Sequence, residues 1–158
     1  RRANRLLAIG ETQNALIVLQ QTLNENSNAH EYHMVGYVLL QLNRCNEAAF
    51  YMQKAFALAP TPFNAIWLGQ TFEQMNLRSE ALEKYLHAIA ERGNETEFRL
   101  AGNLSYHMGD LRGALAYLLR AVEAGCTDDE TLERIRTIRQ RLRIAQLRVA
   151  IRKFFHLS

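Results

Sequence analysis

Few side chains in this sequence could do chemistry, and most stand without the partners that chemistry needs. His30 and His33 lie three residues apart, so on a helix they share a face and could offer two imidazoles to one metal ion. No third His, Cys or carboxylate accompanies them at a convincing spacing, and they read as hydrogen-bonding residues of a binding surface, with no metal. Cys45 stands near the start of a helical stretch with no histidine beside it. It reads as a half-buried turn residue rather than a nucleophile. Cys45 and Cys126 form neither a disulfide framework nor a metal motif, which points to a reducing, cytoplasmic setting and leaves the periplasm open. No glycine-rich phosphate loop follows a strand, because no strand pattern is present. Asn94-Glu95-Thr96 and Asn103-Leu104-Ser105 match the glycosylation sequon and are read as unused. The chain therefore reads as a non-enzyme with no cofactor.

Charge is the strongly patterned property. Residues 1–127 carry 11 Lys+Arg against 12 Asp+Glu, a net of −1, whereas residues 128–158 carry 8 against 4, a net of +4. Within 134–153 stand eight cations and no anion: Arg134, Arg136, Arg139, Arg141, Arg143, Arg148, Arg152 and Lys153. Such a helix could hold nucleic-acid phosphates or lie on an anionic membrane surface, with Phe154 and Phe155 at its end. Arg136, Arg139, Arg141, Arg143 and Arg148 are its candidate polyanion contacts. The aromatic interleaving of nucleic-acid platforms is missing, so nucleic acid is disfavoured. The plainer reading is a solvated face toward an anionic partner surface.

The elements that position these residues are helices. The chain has 158 residues, 48% hydrophobic and 22% charged, with two prolines and eight glycines, a composition that buries a core and lacks the turn density of an all-β chain. No stretch approaches the roughly 18 to 20 uninterrupted apolar residues of a membrane span, and no signal-peptide core follows the basic start. The chain opens with Arg1 and reads as beginning inside a helix, as an excised piece of something longer would.

A self-comparison gives a period of 33 residues. Gly36, Gly69 and Gly102 form one small column; Ala15, Ala48, Ala81 and Ala114 a second; Thr22, Ala55, Ala88 and Ala121 a third. Leu19, Met52, Tyr85 and Leu118 form a bulky column that fills the space beside them. Gly10, Asn43, Asn76 and Gly109 each follow an apolar residue and tolerate left-handed backbone angles, so each marks a helix end. The pattern predicts antiparallel helix pairs at 29–42 with 45–58, 62–75 with 78–91, and 95–108 with 111–124, after the remnant of an earlier unit. Residues 128–158 break the period. Gly125 ends the preceding helix, Thr127 with Glu130 is predicted to form a capping box, and Leu132, Ile135, Ile138, Leu142, Ala145 and Val149 predict one long amphipathic helix reaching about Phe155.

These columns resemble the tetratricopeptide repeat, over residues 3–124 and best at 29–60, where Tyr32, Val35, Gly36, Leu39, Ala48, Met52, Ala55 and Pro60 fall at the family's spacing. Departures are a repeat one residue shorter than usual, Ala65 in place of a large residue, and Ser105 where Leu39 and Phe72 are bulky. The resemblance implies an all-α, right-handed solenoid: a partial repeat at 1–28, repeats at 29–61, 62–94 and 95–127, and a basic C-terminal helix at 128–158 that covers the last repeat. Columns that change from unit to unit lie on the first helix of each pair, which in the family lines the concave groove. By that resemblance His30, His33, Met34, Tyr37, Gln41, Phe63, Trp67, Gln70, Gln74, Arg99, Asn103 and His107 face a protein or peptide partner. Trp67, Tyr37, Phe63 and Met34 would supply large apolar contacts, and Gln70, Gln74, Asn103 and Arg99 would meet backbone groups or a carboxylate. Phe63, Ile66 and Leu100 could equally be buried between adjacent units. Arg99 and Asn103 resemble the first part of the family's carboxylate clamp, but Glu133 stands where its next asparagine belongs, which argues against a chaperone-tail receptor.

The expected function is a protein-binding scaffold or adaptor. Alternatives are a regulatory or targeting domain of a larger protein and a secretion-system chaperone. The apolar edge of the first unit could pair two chains into a homodimer.

Overall fold

Short polar residues start the first helix of each pair, and a left-handed residue follows its end. The computed structural model describes residues 2–156, and of residues 153–156 only the backbone, so the side chains of Lys153, Phe154 and Phe155 lie outside the described residues. All regular structure among the described residues is helical. The chain divides into two units, Arg1–Arg92 and Gly93–Ser158. The first holds α1 (Arg2–Ala8), α2 (Thr12–Thr22), α3 (Ala29–Gln41), α4 (Cys45–Leu58), α5 (Pro62–Gln74) and α6 (Arg78–Glu91). The second holds α7 (Glu95–His107), α8 (Leu111–Glu123) and α9 (Asp129–His156). Each helix predicted over 29–124 lies within one residue of its expected limits.

The first helix of each pair carries a side-chain cap. Asn28 accepts from the Glu31 amide at 3.1 Å while the Glu31 carboxylate accepts from the Asn28 amide at 2.9 Å. Asn94 and Glu97 repeat that capping box, and Thr61 caps α5 with Pro62 in its first turn. Each such cap stabilises its helix by about 1 kcal/mol.

The turns inside the pairs use one device throughout. At Asn43 (φ 58°) and Asn76 (φ 60°) the backbone enters the left-handed region, as it does at Gly10 and Gly109. There the amide of the following residue reaches back to a carbonyl five residues earlier: Arg44 to Leu39 at 2.9 Å, Leu77 to Phe72 at 2.8 Å. Asn76 and Leu77 thus satisfy the last carbonyls of α5 and reverse the chain without proline or glycine.

The small columns let the paired helices close. A Cβ on Gly69 would lie 2.6 Å from the Tyr85 ring, and one on Gly102 would lie 2.7 Å from the Leu118 side chain. Ala15, Ala48, Ala81 and Ala114, with Ala55, Ala88 and Ala121, have no exposed surface; Thr22, in the shorter α2, is exposed. In the first unit Leu16, Val35, Val38, Leu39 and Ala48 form a core flanked by Leu7, Leu19 and Leu42. In the second, Ala114 and Leu118 of α8 pack with Ile135 and Ile138 of α9, and Leu142 closes the edge.

Two expectations for α9 are corrected. Its start is capped by Asp128, whose carboxylate accepts from the Thr131 amide at 2.7 Å, and not by Thr127 with Glu130. The cap sits one residue further along than the expected box, with the Thr131 amide as donor in place of that of Glu130. The packed stripe also ends at Leu142, since Ala145 and Val149 are exposed. The cause is length: 28 residues make α9 about 42 Å long, against about 20 Å for the 13 residues of α8.

Candidate functional site

The variable first-helix positions of the first unit come together as a cluster of rings. His33 and Tyr37 are four residues apart on α3; Phe63 and Trp67, also four apart, lie on α5 one period after His30 and Met34, about one turn nearer the helix start. The His33 ring lies 4.7 Å from Phe63 and 5.4 Å from Trp67, and Tyr37 meets Trp67 edge-on at 5.4 Å. Local hydrogen bonds hold this surface. The Asn64 amide donates to the carbonyls of Ala59 at 2.8 Å and Ala55 at 3.4 Å, tying the start of α5 to the end of α4. Thr71 donates to the Trp67 carbonyl at 2.8 Å. The cluster stays partly open: Phe63 is 53% exposed, and Trp67 and Tyr37 are half-buried.

His33 is 5% exposed, and its Nδ1 has no hydrogen-bond partner among the described residues. Burial, reinforced by the charge of His30, pushes its pKa down from 6.5 to about 4. The ring is therefore neutral at pH 7 and acts as an aromatic wall, which corrects the expectation of a surface hydrogen-bonder. His30 is exposed and lies with Met34, Glu31, Ala3, Leu19 and Thr22 around a shallow pocket of about 280 Å³. Gln41 and Gln74 are exposed and Gln70 and Ile66 half-buried, while the Cys45 thiol donates to the Gln74 side-chain oxygen at 3.4 Å. Cys45, half-buried at the start of α4, thus helps to fix Gln74.

In the second unit, α7 presents half-buried Arg99, Leu100 and Asn103 and exposed His107. The Asn103 Oδ1 and the Ser105 Oγ are buried without hydrogen-bond partners among the described residues. Sequence reading missed a neighbouring group, Glu95, Cys126 and Asp128, whose ligand-type atoms lie within 4.8 Å of one another. The Cys126 thiol donates to Asp128 at 2.7 Å, and this bond, the Thr131 amide and the charge of Arg99 pull the Asp128 pKa down to about 2. Burial pushes the thiol up. A thiol that keeps its proton beside a carboxylate already bonded as the α9 cap, with an arginine at hand, is a helix-start network and a poor cation site. Its only sequence signal is the Cys126-Thr127-Asp128 spacing; Glu95 is brought in by folding.

Of the cationic positions, Arg136 pairs with Glu133, and Arg141 lies 5.5 Å over the Tyr106 ring, where Arg134 also sits at 5.4 Å. Arg139, Arg143 and Arg148 are exposed and form no ion pair among the described residues. No helix of the described residues is long and apolar enough to cross a membrane.

The helix pairs, their turns and the ring-bearing first helices define an α-solenoid of the tetratricopeptide kind. A family model described as tetratricopeptide repeat matches residues 30–62, so the chain carries a repeat of that family within a tetratricopeptide-type fold. MamA (residues 41 to end) of Desulfovibrio magneticus RS-1 superimposes with a TM-score of 0.79 at 17% identity, covering 97% of this chain and 87% of that one. YrrB, a TPR protein with an unusual peptide-binding site, gives 0.75 at 20% identity over 83% of this chain and 69% of its own. The first TPR of Spaghetti, solved with the HSP90 peptide SRMEEVD, gives 0.68 at 17% identity over 73% and 93%. At these identities the likeness is one of fold. No curated protein matches the chain.

Proposed function

We propose that this chain is a non-enzymatic protein-interaction module whose first-helix surface binds an extended peptide or a helix of a partner protein. The observation that carries this reading is the open ring cluster of His33, Tyr37, Phe63 and Trp67. Aromatic side chains held in place before binding offer large contact area at low ordering cost, and such residues dominate interface energetics. Gln70 and Gln74 beside the rings supply donors and acceptors for a ligand backbone. In the second unit Arg99, Asn103 and His107 offer a more polar version of the same surface, suited to a carboxylate or amide. The solved relatives whose descriptions name a bound peptide or a peptide-binding site support a binding role for this fold.

The test is affinity capture from the source lysate with wild type, Trp67→Ala and Phe63→Ala. Phe63 is half exposed, so its truncation leaves the fold intact and separates binding from stability. Loss of the same captured proteins by both variants supports the assignment; an unchanged captured set in both rejects it.

A further inference from the structure

The repeat pattern runs on past the point where the chain stops reversing. The left-handed turn residues Gly10, Asn43, Asn76 and Gly109 are spaced by the 33-residue period, and the next position in that series is Leu142. Leucine resists the left-handed region, and α9 continues through it unbroken. One period beyond Ala114 and Leu118, both fully buried in α8, stand Leu147 and Ile151, each 55% exposed. Ile144, one turn earlier, is 41% exposed. Residues 143–152 thus carry the apolar positions of a second repeat helix, and among the described residues no first helix is folded opposite them.

Helix geometry narrows what covers this face. Ile144, Leu147 and Ile151 fall within about 60° of arc, on a side of α9 remote from the stripe that Ala145 and Val149 continue from Ile138 and Leu142. Arg141, Arg148 and Arg152 separate the two stripes on one side and Arg139 and Arg143 on the other. A helix lying in a membrane interface has one apolar sector. Two stripes divided by arginine ridges suit packing among helices. Beyond Glu133 the described part of α9 has no acidic residue, so a second copy of α9 laid alongside would place arginines against arginines.

We propose that residues 143–152 are a docking surface for an acidic amphipathic helix of a partner protein, which lies along Ile144, Leu147 and Ile151 with its carboxylates toward Arg143 and Arg148. The partner helix takes the place of the helix that a reversal at Leu142 would have provided, and its charge complements a surface that carries no counter-charge of its own.

The test uses fluorescence anisotropy with three labelled synthetic peptides: a helix with leucines on one face flanked by glutamates, a scrambled peptide of the same composition, and the first peptide with lysine for glutamate. The expected result is binding of the first alone, weakened about tenfold or more by Leu147→Ser with Ile151→Ser and by Arg143→Gln with Arg148→Gln. Phe63→Ala should leave this binding unchanged, which separates it from the ring cluster. All four substituted side chains are exposed, so circular dichroism should show the wild-type fold. Sedimentation with phosphatidylcholine vesicles, with and without phosphatidylserine, is run in parallel. Equal binding of the scrambled peptide, no binding of the first, or vesicle binding that the double serine variant abolishes while the peptide stays unbound would each overturn the proposal.

Discussion

Lowering the pH should weaken the first unit through one side chain, His33. Its ring is held among Phe63 and Trp67, where burial first and the charge of His30 second drive its pKa from 6.5 to about 4. In the unfolded chain the imidazole binds a proton near pH 6.5, so between about 6.5 and 4 the unfolded state holds more protons and stability rises with pH. The contribution is fully present above pH 6.5 and is lost as pH falls toward 4. Taking those two values, linkage gives a loss of about 2 kcal/mol between about pH 7.5 and pH 5 from this group alone. Urea unfolding of wild type and His33→Leu at the two pH values measures it, because the leucine variant should lose that part of the pH dependence and keep the rest. Proton NMR of the His33 ring is the direct readout and should show a neutral ring down to about pH 4. A His33 titration near 6.5, or an unchanged pH slope in His33→Leu, would refute the reasoning that the ring is walled in.

Two further predictions concern packing. Gly69→Ala should destabilise by about 1–2 kcal/mol, because its Cβ meets the Tyr85 ring at 2.6 Å and the overpacking outweighs a helix-propensity gain near 1 kcal/mol; Gly36→Ala, which meets only the flexible Met52 at 3.0 Å, should be neutral or stabilising, and thermal melts of the pair show the difference. Ile138→Ala, at a site with no exposed surface between α9 and α8, should cost about 2–5 kcal/mol in denaturant unfolding, and a loss below 1 kcal/mol would mean that α9 does not pack as described.

Much of the candidate site was legible because its positions vary where the core columns repeat. Trp67, Tyr37 and Phe63 could be picked out as residues that the period does not demand. That their rings meet, and that His33 is enclosed by them, depends on how far α3 stands from α5, a distance no local pattern encodes. The same limit explains Glu95, Cys126 and Asp128. Three ordinary residues far apart in sequence become one hydrogen-bonded group only when the start of α7 comes near the start of α9 within the second unit.

The sequence by itself determined the helices, their period and their reversals, because helix starts and turns depend on interactions that span a few residues, a cap three positions away or a left-handed Asn or Gly, and the period repeats a small residue wherever paired helices close. Asn76 and Gly69 do in the folded chain what their types allow. Tertiary structure alone decided where packing stops. The apolar period of α9 is indifferent to its surroundings, yet Ile138 is buried and Val149 is exposed, since α8 is too short to reach the second half of a helix twice its length. Burial is a property of the neighbour that arrives, and His33 changed from a polar contact to a neutral aromatic wall for the same reason.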